Sequence, residues 1–552
     1  MRQSRISCNS GQVESTKNWL ISAAIMTIVM VLAGSTPARL IAAPAPQTGG
    51  TGLGPDCSPD RPAIAHHADG VKVDAPRGAD APIPCTNKTG LLTGEVSVVV
   101  TKAGTVLFRP AWSPALPGPP VGVLRTSNAG ADWTTPNNPF NDTNMWADLQ
   151  TGRVFWMSCG GRCAHPLFDI SDDDGRTWFP GGRPLTGPTA TGGTGGYDHV
   201  QVFGGPPTQG MKNQLQGYPN VMYACMGHKP LKCQKSQDGG MTWGPELDIP
   251  YPSGLEGIQG SANDCSAFGL QGVVDQDGTV YVPYGPCNRP YVAISHDEGG
   301  HWQLVAVANM DEIGYGYPTL GMDEGGNLYA AWVGASDRLL YLAISRDHGM
   351  HWGTPLKVEA PGVNEIAIPN LVAGARGHIA VTYYASENAP HPFPPSCFQI
   401  TPGPRSATPP APRPQGAELK CTGYENERWD TVVTESRNAL DAQPLFWSAT
   451  LNNPTNPTWY GCTPSETGVI RWDENFTDGP GHFGGCNPPR FPLDYFGAAM
   501  APDGTVYVGY AQECPVGRPG ANTNCPGETN DAGQLYGLLG RLVSRGDHVS
   551  QK

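Results

Sequence analysis

Seven short segments put groups capable of acid, base or nucleophilic chemistry at the head of an apolar run. They read GEVSVVV with Glu95, NDTNMWA with Asp142, GYDHVQV with Tyr197, Asp198 and His199, NDCSAF with Asp264, GYGYPTL with Tyr315 and Tyr317, NEIAIP with Glu365, and PLDYFGA with Asp494 and Tyr495. Six of the seven carry a carboxylate. Carboxylates and tyrosines that converge raise one another's proton affinity and can divide acid, base and nucleophile roles among themselves. The same residue types also cap strand starts, so convergence has to come from the fold. Arg109, Arg162, Lys229, Arg289, Arg338, Arg428 and Arg518 supply the opposite charge, at least one in or beside each of seven other connections, in a chain whose formal charge is −14. Planar guanidinium groups grip carboxylates at two points, so several of them beside such acids suit an anionic sugar, although single loop arginines commonly point to water.

Composition limits the scaffold that could position these groups. Of 552 residues, 72 are Gly and 56 are Pro, and only 15% are charged, which disfavours helical bundles and favours turn-rich β structure. Hydrophobic content of 39%, with 14 Trp, 19 Tyr and 14 Phe, supports a packed core rather than wholesale disorder. An acidic balance without a clustered basic face argues against nucleic acid as a partner.

A repeat fixes the architecture. SDDDGRTW (Ser171 to Trp178), SQDGGMTW (Ser236 to Trp243), SHDEGGHW (Ser295 to Trp302) and SRDHGMHW (Ser345 to Trp352) share S-x-D-x-G-x-x-W, and TSNAGADW (Thr126 to Trp133) is a degenerate copy. Their tryptophans follow at intervals of 45, 65, 59 and 50 residues, enough for four short strands per unit, as in a propeller blade. A second repeat is a turn followed by an apolar strand, beginning at Gly104, Gly152, Gly278, Gly326, Gly377 and Gly504, with a less regular copy from Asn220. The expectation is an all-β propeller of seven blades, six being the alternative. In the shared turn, Asp accepts backbone N–H bonds, Gly permits positive φ and Trp fills apolar space between strands. Leu445 to Trp459 is taken as the outer turn of blade six. With strands running outward from the axis, these turns mark one face. The acids and arginines fall in connections on the other, where loops are longer.

Four clean copies of that turn make the chain resemble the Asp-box, or bacterial neuraminidase repeat, family of β-propellers over about residues 94 to 545. The family includes sialidases and other glycoside hydrolases as well as non-catalytic receptors and assembly factors, so fold does not decide activity. A sialidase-like activity implies exo-hydrolysis of terminal sialic acids by a retaining mechanism, with a tyrosine nucleophile activated by a glutamate, an aspartate acid/base and three arginines on the substrate carboxylate. By position, the resemblance puts Tyr495 or Tyr315 as nucleophile, Glu365 as its partner, and Asp198 or Asp264 as acid, with Asp494 a further carboxylate beside Tyr495. Arg109, Arg162, Arg289, Arg338 and Arg428 are the candidates for the substrate. The chain departs from the pattern in one respect: the Arg-Ile-Pro string usual at the first inner strand is absent, the comparable segments being Tyr317-Pro318-Thr319 and Ile368-Pro369-Asn370. Two other readings stand beside this one. One is a non-catalytic secreted propeller that binds glycans or proteins. The other is a hydrolase of neutral glycans using two carboxylates such as Asp264 and Glu365, with Trp332 and Tyr384 as aromatic platforms.

The remaining features concern compartment and closure. Trp19 to Gly34 is an apolar run of 16 residues after Arg2, Arg5 and Lys17, and it reads as a signal peptide, with an uncleaved anchor as the alternative. The expected division is residues 1–45 for export, 46–93 as an N-terminal lead, 94–545 as propeller and 546–552 as tail. Setting Cys8 aside leaves fourteen cysteines, several of them near neighbours, among them Cys57 with Cys85 and Cys225 with Cys233, which suits disulfides in an exported chain. No cofactor or metal is expected. The DQDG run from Asp275 lacks the final Glu of a calcium loop and reads as a turn. The expected partner is a glycan or glycoconjugate met by an exported monomer with no lasting membrane span. Residues 389–418 are a proline-rich insertion inside blade six, read as a tethered flap. The last apolar segment, Gln534 to Val543, matches a third strand with too little chain after it for a fourth. The segment near Ala63 to Val73 is therefore expected to close the ring.

Overall fold

The computed structural model describes residues 57–77, 80–93, 96–110, 122–135, 144–160, 165–184, 198–227, 231–252, 271–285, 289–308, 317–334, 336–389, 427–453, 455–460, 497–513 and 535–543. The chain divides at Pro46, and every described residue belongs to the unit that begins at Gln47. Seven antiparallel sheets follow one another along the chain, and the described residues hold almost no helix.

From the inside outward, blade one is Val96–Val100, Val106–Pro110 and Leu124–Thr126, with a single bridge from Arg125 to Thr134 at its outer edge. Blade two is Met145–Ala147, Val154–Gly160, His165–Ser171 and Phe179–Pro180. Blade three is Asp198–Gly205, Val221–Gly227, Leu231–Ser236 and Leu247–Ile249. Blade four is Val273–Val274, Val280–Tyr284, Tyr291–Ser295 and Gln303–Ala306. Blade five is Thr319–Met322, Leu328–Val333, Leu340–Ser345 and Leu356–Lys357. Blade six is Glu365–Ala373, Ile379–Ser386, Arg428–Ser436 and Phe446–Thr450. Blade seven is Gly497–Met500, Val506–Glu513 and Leu535–Val543, completed from the N-terminal side by Ile83–Leu92. The inner strands neighbour one another in blade order, and that of blade seven returns to that of blade one. Gly497 makes this last approach possible, since a Cβ there would stand 3.0 Å from Val98 N and 3.1 Å from Val96 O.

Apolar burial follows the same plan. There are seven clusters of buried residues among the described ones, and each draws on two adjacent blades. Trp133, Trp178, Trp243, Trp302 and Trp352 each pack half-buried against one of these clusters, which is the apolar plugging expected of the repeat. Cohesion therefore resides in the blade interfaces rather than in one central core.

The turn chemistry holds in every clean copy. In blade five, Ser345 Oγ donates to Asp347 Oδ1 at 2.9 Å and accepts the Gly349 N–H, while Asp347 Oδ1 also accepts the His351 N–H. The residue between Asp and Gly lies in the left-handed region (Ala129, Asp174, Gly239, Glu298 and His348) and forms a lock onto the preceding blade. Asp174 accepts hydrogen bonds from Thr101, Thr105 and Arg125 of blade one. Glu298 takes Lys235 of blade three at 3.0 Å, and His348 meets Asp275 of blade four at 3.4 Å. Gly239 O accepts from Arg153 of blade two, and Ala129 O accepts from Asn87 of the strand that completes blade seven.

Asp347 is drawn down to about 2 by the His351 N–H, helped by the His351 ring and Ser345 against a lesser opposing effect of burial. A lowered carboxyl stabilises the fold above its unfolded value and ceases to do so as pH falls through its folded one. Part of the acid loss of stability between about pH 4 and about pH 2 should therefore vanish in Asp347→Asn, as followed by melting temperature against pH. An unchanged acid slope would contradict this.

Two expectations need correction. The ring is closed by an N-terminal strand, but that strand is Ile83–Leu92, whose Cys85, Asn87 and Lys88 pair with Arg541, Leu539 and Leu538. The segment near Ala63 to Val73 lies on blade six instead, where Ile64–His66 adds a fifth strand beside Phe446–Thr450. The longer strand wins because it is the one that matches the full length of Leu535–Val543. Likewise the outer turn of blade six is Ser436 to Leu445, where Asn438 takes the Asp position and accepts the Leu445 N–H. The stretch from Leu445 to Trp459 instead holds the outer strand, and Trp459–Tyr460 then pairs with Arg428 and Trp429. Two disulfides lie among the described residues, Cys57–Cys85 and Cys225–Cys233, and these fit a chain that folds in an oxidising compartment. Of the remaining near-neighbour cysteines, Cys163, Cys265, Cys287, Cys397, Cys421, Cys462, Cys486, Cys514 and Cys525 fall outside the described residues, as do the apolar N-terminal run and most of the proline-rich insertion. No described helix is long and apolar enough to cross a membrane.

Candidate functional site

Connections between second and third strands share a face with those leading from one blade to the next inner strand. On that face the structure brings together Glu365 and Arg338. Glu365 begins the inner strand of blade six and is fully buried. Its Oε1 accepts from Arg338 Nη1 at 2.5 Å. Arg338 arrives from the second-to-third connection of blade five, and its backbone is held as firmly as its side chain. Its N–H donates to Gly334 O, and its C=O accepts the Ile366 N–H at 2.9 Å. Arg338 adopts φ 55, a conformation that a non-glycine residue keeps only when its surroundings impose it. Beside it, Asp337 accepts from Tyr341 and Lys357, and these bonds outweigh burial and hold its carboxyl below the ordinary range.

The inner strand that starts at Glu365 is bulged. Ala367 pairs with Tyr384 and Asn370 with Thr382, leaving Ile368 and Pro369 opposite one residue, with Ile368 at φ 50. Positive φ is costly for a β-branched side chain, and bulges re-aim the residues around them. The inner strand of blade three has the same interruption, between Asp198 opposite Gly227 and Gln201 opposite Cys225. Thus both described inner strands headed by a candidate acid carry a bulge close to that acid.

The roots of the proline-rich insertion also sit beside Glu365. Asn364 accepts the Ala389 N–H and donates to Ala389 O, while Asn388 Oδ1 accepts the Arg428 N–H at 2.8 Å. Glu427, at the return, is 2% exposed. Sequence reasoning passed over it because it lies next to the more conspicuous Arg428.

The remaining candidates are distributed as follows. Arg109 is the penultimate residue of the second strand of blade one, opposite Ser97, with 1% exposure. Arg428 is half-buried and donates to Asp430 at 2.9 and 3.0 Å, so it is anchored along its own strand. Arg289 is half-buried just before the third strand of blade four. Only the main chain of Asp198 is described. Asp264, Tyr315, Asp494, Tyr495 and Arg162 lie outside the described residues, as do Lys229 and Arg518. Trp332 and Tyr384 have no exposed surface, and Tyr384 packs edge-on to Trp459 at 4.6 Å, so both are core residues and not platforms.

Two further buried carboxyls, set apart by a raised proton affinity, escaped the sequence reading. Burial pushes Asp169, in the third strand of blade two, up to about 6, and Glu359, between blades five and six, up to about 7. Asp169 stood in plain view as a break in the alternation of HPLFDIS, and Glu359 lay in the same kind of connection as the other acids. Among the described residues no group of His, Cys, Asp or Glu could hold a metal ion. Asp275 uses Oδ1 to accept the Asp277 and Thr279 N–H groups, which is a turn cap.

No protein-family model matches the chain, and no curated protein matches its sequence. Solved structures similar to it include a protein of unknown function from Dyadobacter fermentans at 12% identity and TM-score 0.39, covering 89% of this chain and 100% of that one. A polysaccharide (ulvan) lyase matches at 11% identity and TM-score 0.35, over 60% of this chain and 92% of that one. A leech intramolecular trans-sialidase matches at 11% identity and TM-score 0.34, over 84% and 70%.

Proposed function

We propose that the chain is an exported propeller that takes terminal, anionic sugars on its loop-bearing face and hydrolyses them, with Glu365 as the carboxylate that draws a proton from the nucleophile. The observation that carries this reading is the pair of Glu365 and Arg338, a wholly buried carboxylate tied to a guanidinium at the head of a bulged inner strand. A neighbouring positive charge favours the ionised form of a carboxyl, and an ionised carboxylate accepts protons. The tyrosine nucleophile in this scheme is Tyr495 or Tyr315, the acid is Asp198 or Asp264, Asp494 is the carboxylate next to Tyr495 in sequence, and Arg162 and Arg289 are the cations for the substrate, Arg109 being buried within its blade.

The test is turnover of a fluorogenic sialoside, then of neutral glycosides, by the wild type and by Glu365→Gln. The expected result is sialoside turnover that Glu365→Gln abolishes while a cooperative melt remains. Because the change removes the ion pair that Glu365 makes with Arg338, some thermal destabilisation is also expected. A second reading, a binding module without catalysis, is favoured by the engagement of Arg428 with Asp430, which ties up one of the candidate cations along its own strand. It predicts no turnover on any glycoside together with retention on a glycan array.

A further inference from the structure

Residues 57–77 form a strap outside the ring, and it runs beside an acid that the proposed activity does not use. Ile64–His66 pairs with the outer strand of blade six, and His66 and His67 bond to Ser448 Oγ and Pro444 O. The strap then turns through a short 3-10 segment, Ala68–Gly70, with Asp69 at φ 60. This turn packs on the outer strand of blade five, and Gly70 lies against Pro361. Glu359 sits in the same connection two residues before Pro361, 6% exposed, and its Oε2 has no hydrogen-bond partner.

The groups that act on Glu359 come from each element around it. Lys357 belongs to the outer strand of blade five, Asp337 to a loop of the same blade, and Asp69 to the strap. Tyr383, from the second strand of blade six, keeps its proton because of burial, and its oxygen accepts the Ala360 N–H. The lysine is already bonded to Asp337 at 2.9 Å. A charge on Glu359 would therefore be poorly compensated and would face two other carboxylates.

We propose that the strap is a pH-dependent clasp: a proton on Glu359 keeps the turn seated on blades five and six, and its loss to solvent sets Glu359, Asp69 and Asp337 against a single lysine and loosens it. The sign follows from linkage. A carboxyl raised in the folded state, here from 4.5 to about 7, stabilises the seated form at low pH and loses that effect as pH rises through the folded value. His66, lowered by burial, acts in the opposite sense and only toward acid. This inference stands apart from the proposed activity.

Hydrogen exchange on the full, disulfide-bonded chain tests it, using protection factors corrected for intrinsic rates at the amides of Ile64–His66. Protection should fall about tenfold between about pH 6 and about pH 8.5, the effect of a carboxyl that regains its solution value when the strap lifts. Glu359→Gln should flatten that dependence, and Asp69→Asn should shrink it and move its midpoint to lower pH. Wild-type protection that does not change with pH would overturn the clasp, and so would an unaltered dependence in Glu359→Gln. Should Glu359→Gln fail to fold, Asp69→Asn decides alone, because an unmoved midpoint excludes repulsion from the strap.

Discussion

A chain that starts at residue 94 is expected not to fold into a soluble monomer. It would lack Ile83–Leu92, and with it the strand that covers the edge of Leu535–Val543. Open edges of that length invite pairing between molecules. The loss extends beyond blade seven. Thr86 Oγ1 donates to Leu451 O of blade six, Asn87 donates to Ala129 O of blade one, and Lys88 O accepts from Trp133 Nε1. One strand thus joins three blades, and Cys85 within it is bound to Cys57 of the strap. The check is size-exclusion chromatography of the truncated chain with and without co-expressed residues 57–93. Aggregation without the segment and a monomer with it is the expected pair of results. A cooperative, monomeric fold from the truncated chain alone would show that the closure is dispensable.

Replacing Trp429 with alanine is expected to be the most damaging single change in the described core. Its ring stacks on Trp459 at 5.1 Å and 10°, and Trp459 in turn receives the edge of Tyr384. Both indoles belong to the cluster between blades six and seven, and Trp429 is wholly buried. Truncating a buried tryptophan removes its transfer free energy and leaves a cavity, together costing about 3 to 5 kcal/mol. Denaturant midpoints read this directly, and Trp429→Phe should recover most of the loss by keeping an aromatic surface for Trp459. A shift equivalent to less than about 1 kcal/mol would mean that the cluster repacks freely.

The architecture was legible because its signal is periodic. Trp178, Trp243, Trp302 and Trp352 announce their corners by spacing alone, and the second strands repeat independently of them. Blade six was misread at its outer turn because Asn438 performs the duty of Asp with no Gly or Trp at the usual distances. The identity of the closing strand could not be read by pattern, since Ile83–Leu92 carries the polar run from Thr86 to Gly90 and its pairing depends on contacts distant in sequence. The site was less accessible. Glu365 and Arg338 were each singled out for their types, but their union is a matter of which neighbouring connections meet. The bulge at Ile368 and Pro369, which shapes the strand leading from Glu365, leaves only an unremarkable proline in the sequence.

The left-handed corners have one more consequence, for how such a ring can change over generations. Three of the five corners fit the unit behind them by side-chain complement: a carboxylate meets hydroxyls and guanidinium at Asp174, an ammonium at Glu298, and an imidazole meets a carboxylate at His348. A duplicated or transposed unit would break this matching. A corner of the Glu298 type placed after blade four, for instance, would confront Asp275 with a like charge. Unequal recombination among the repeats is thus penalised at the seams, and the order of the units is inherited as a set.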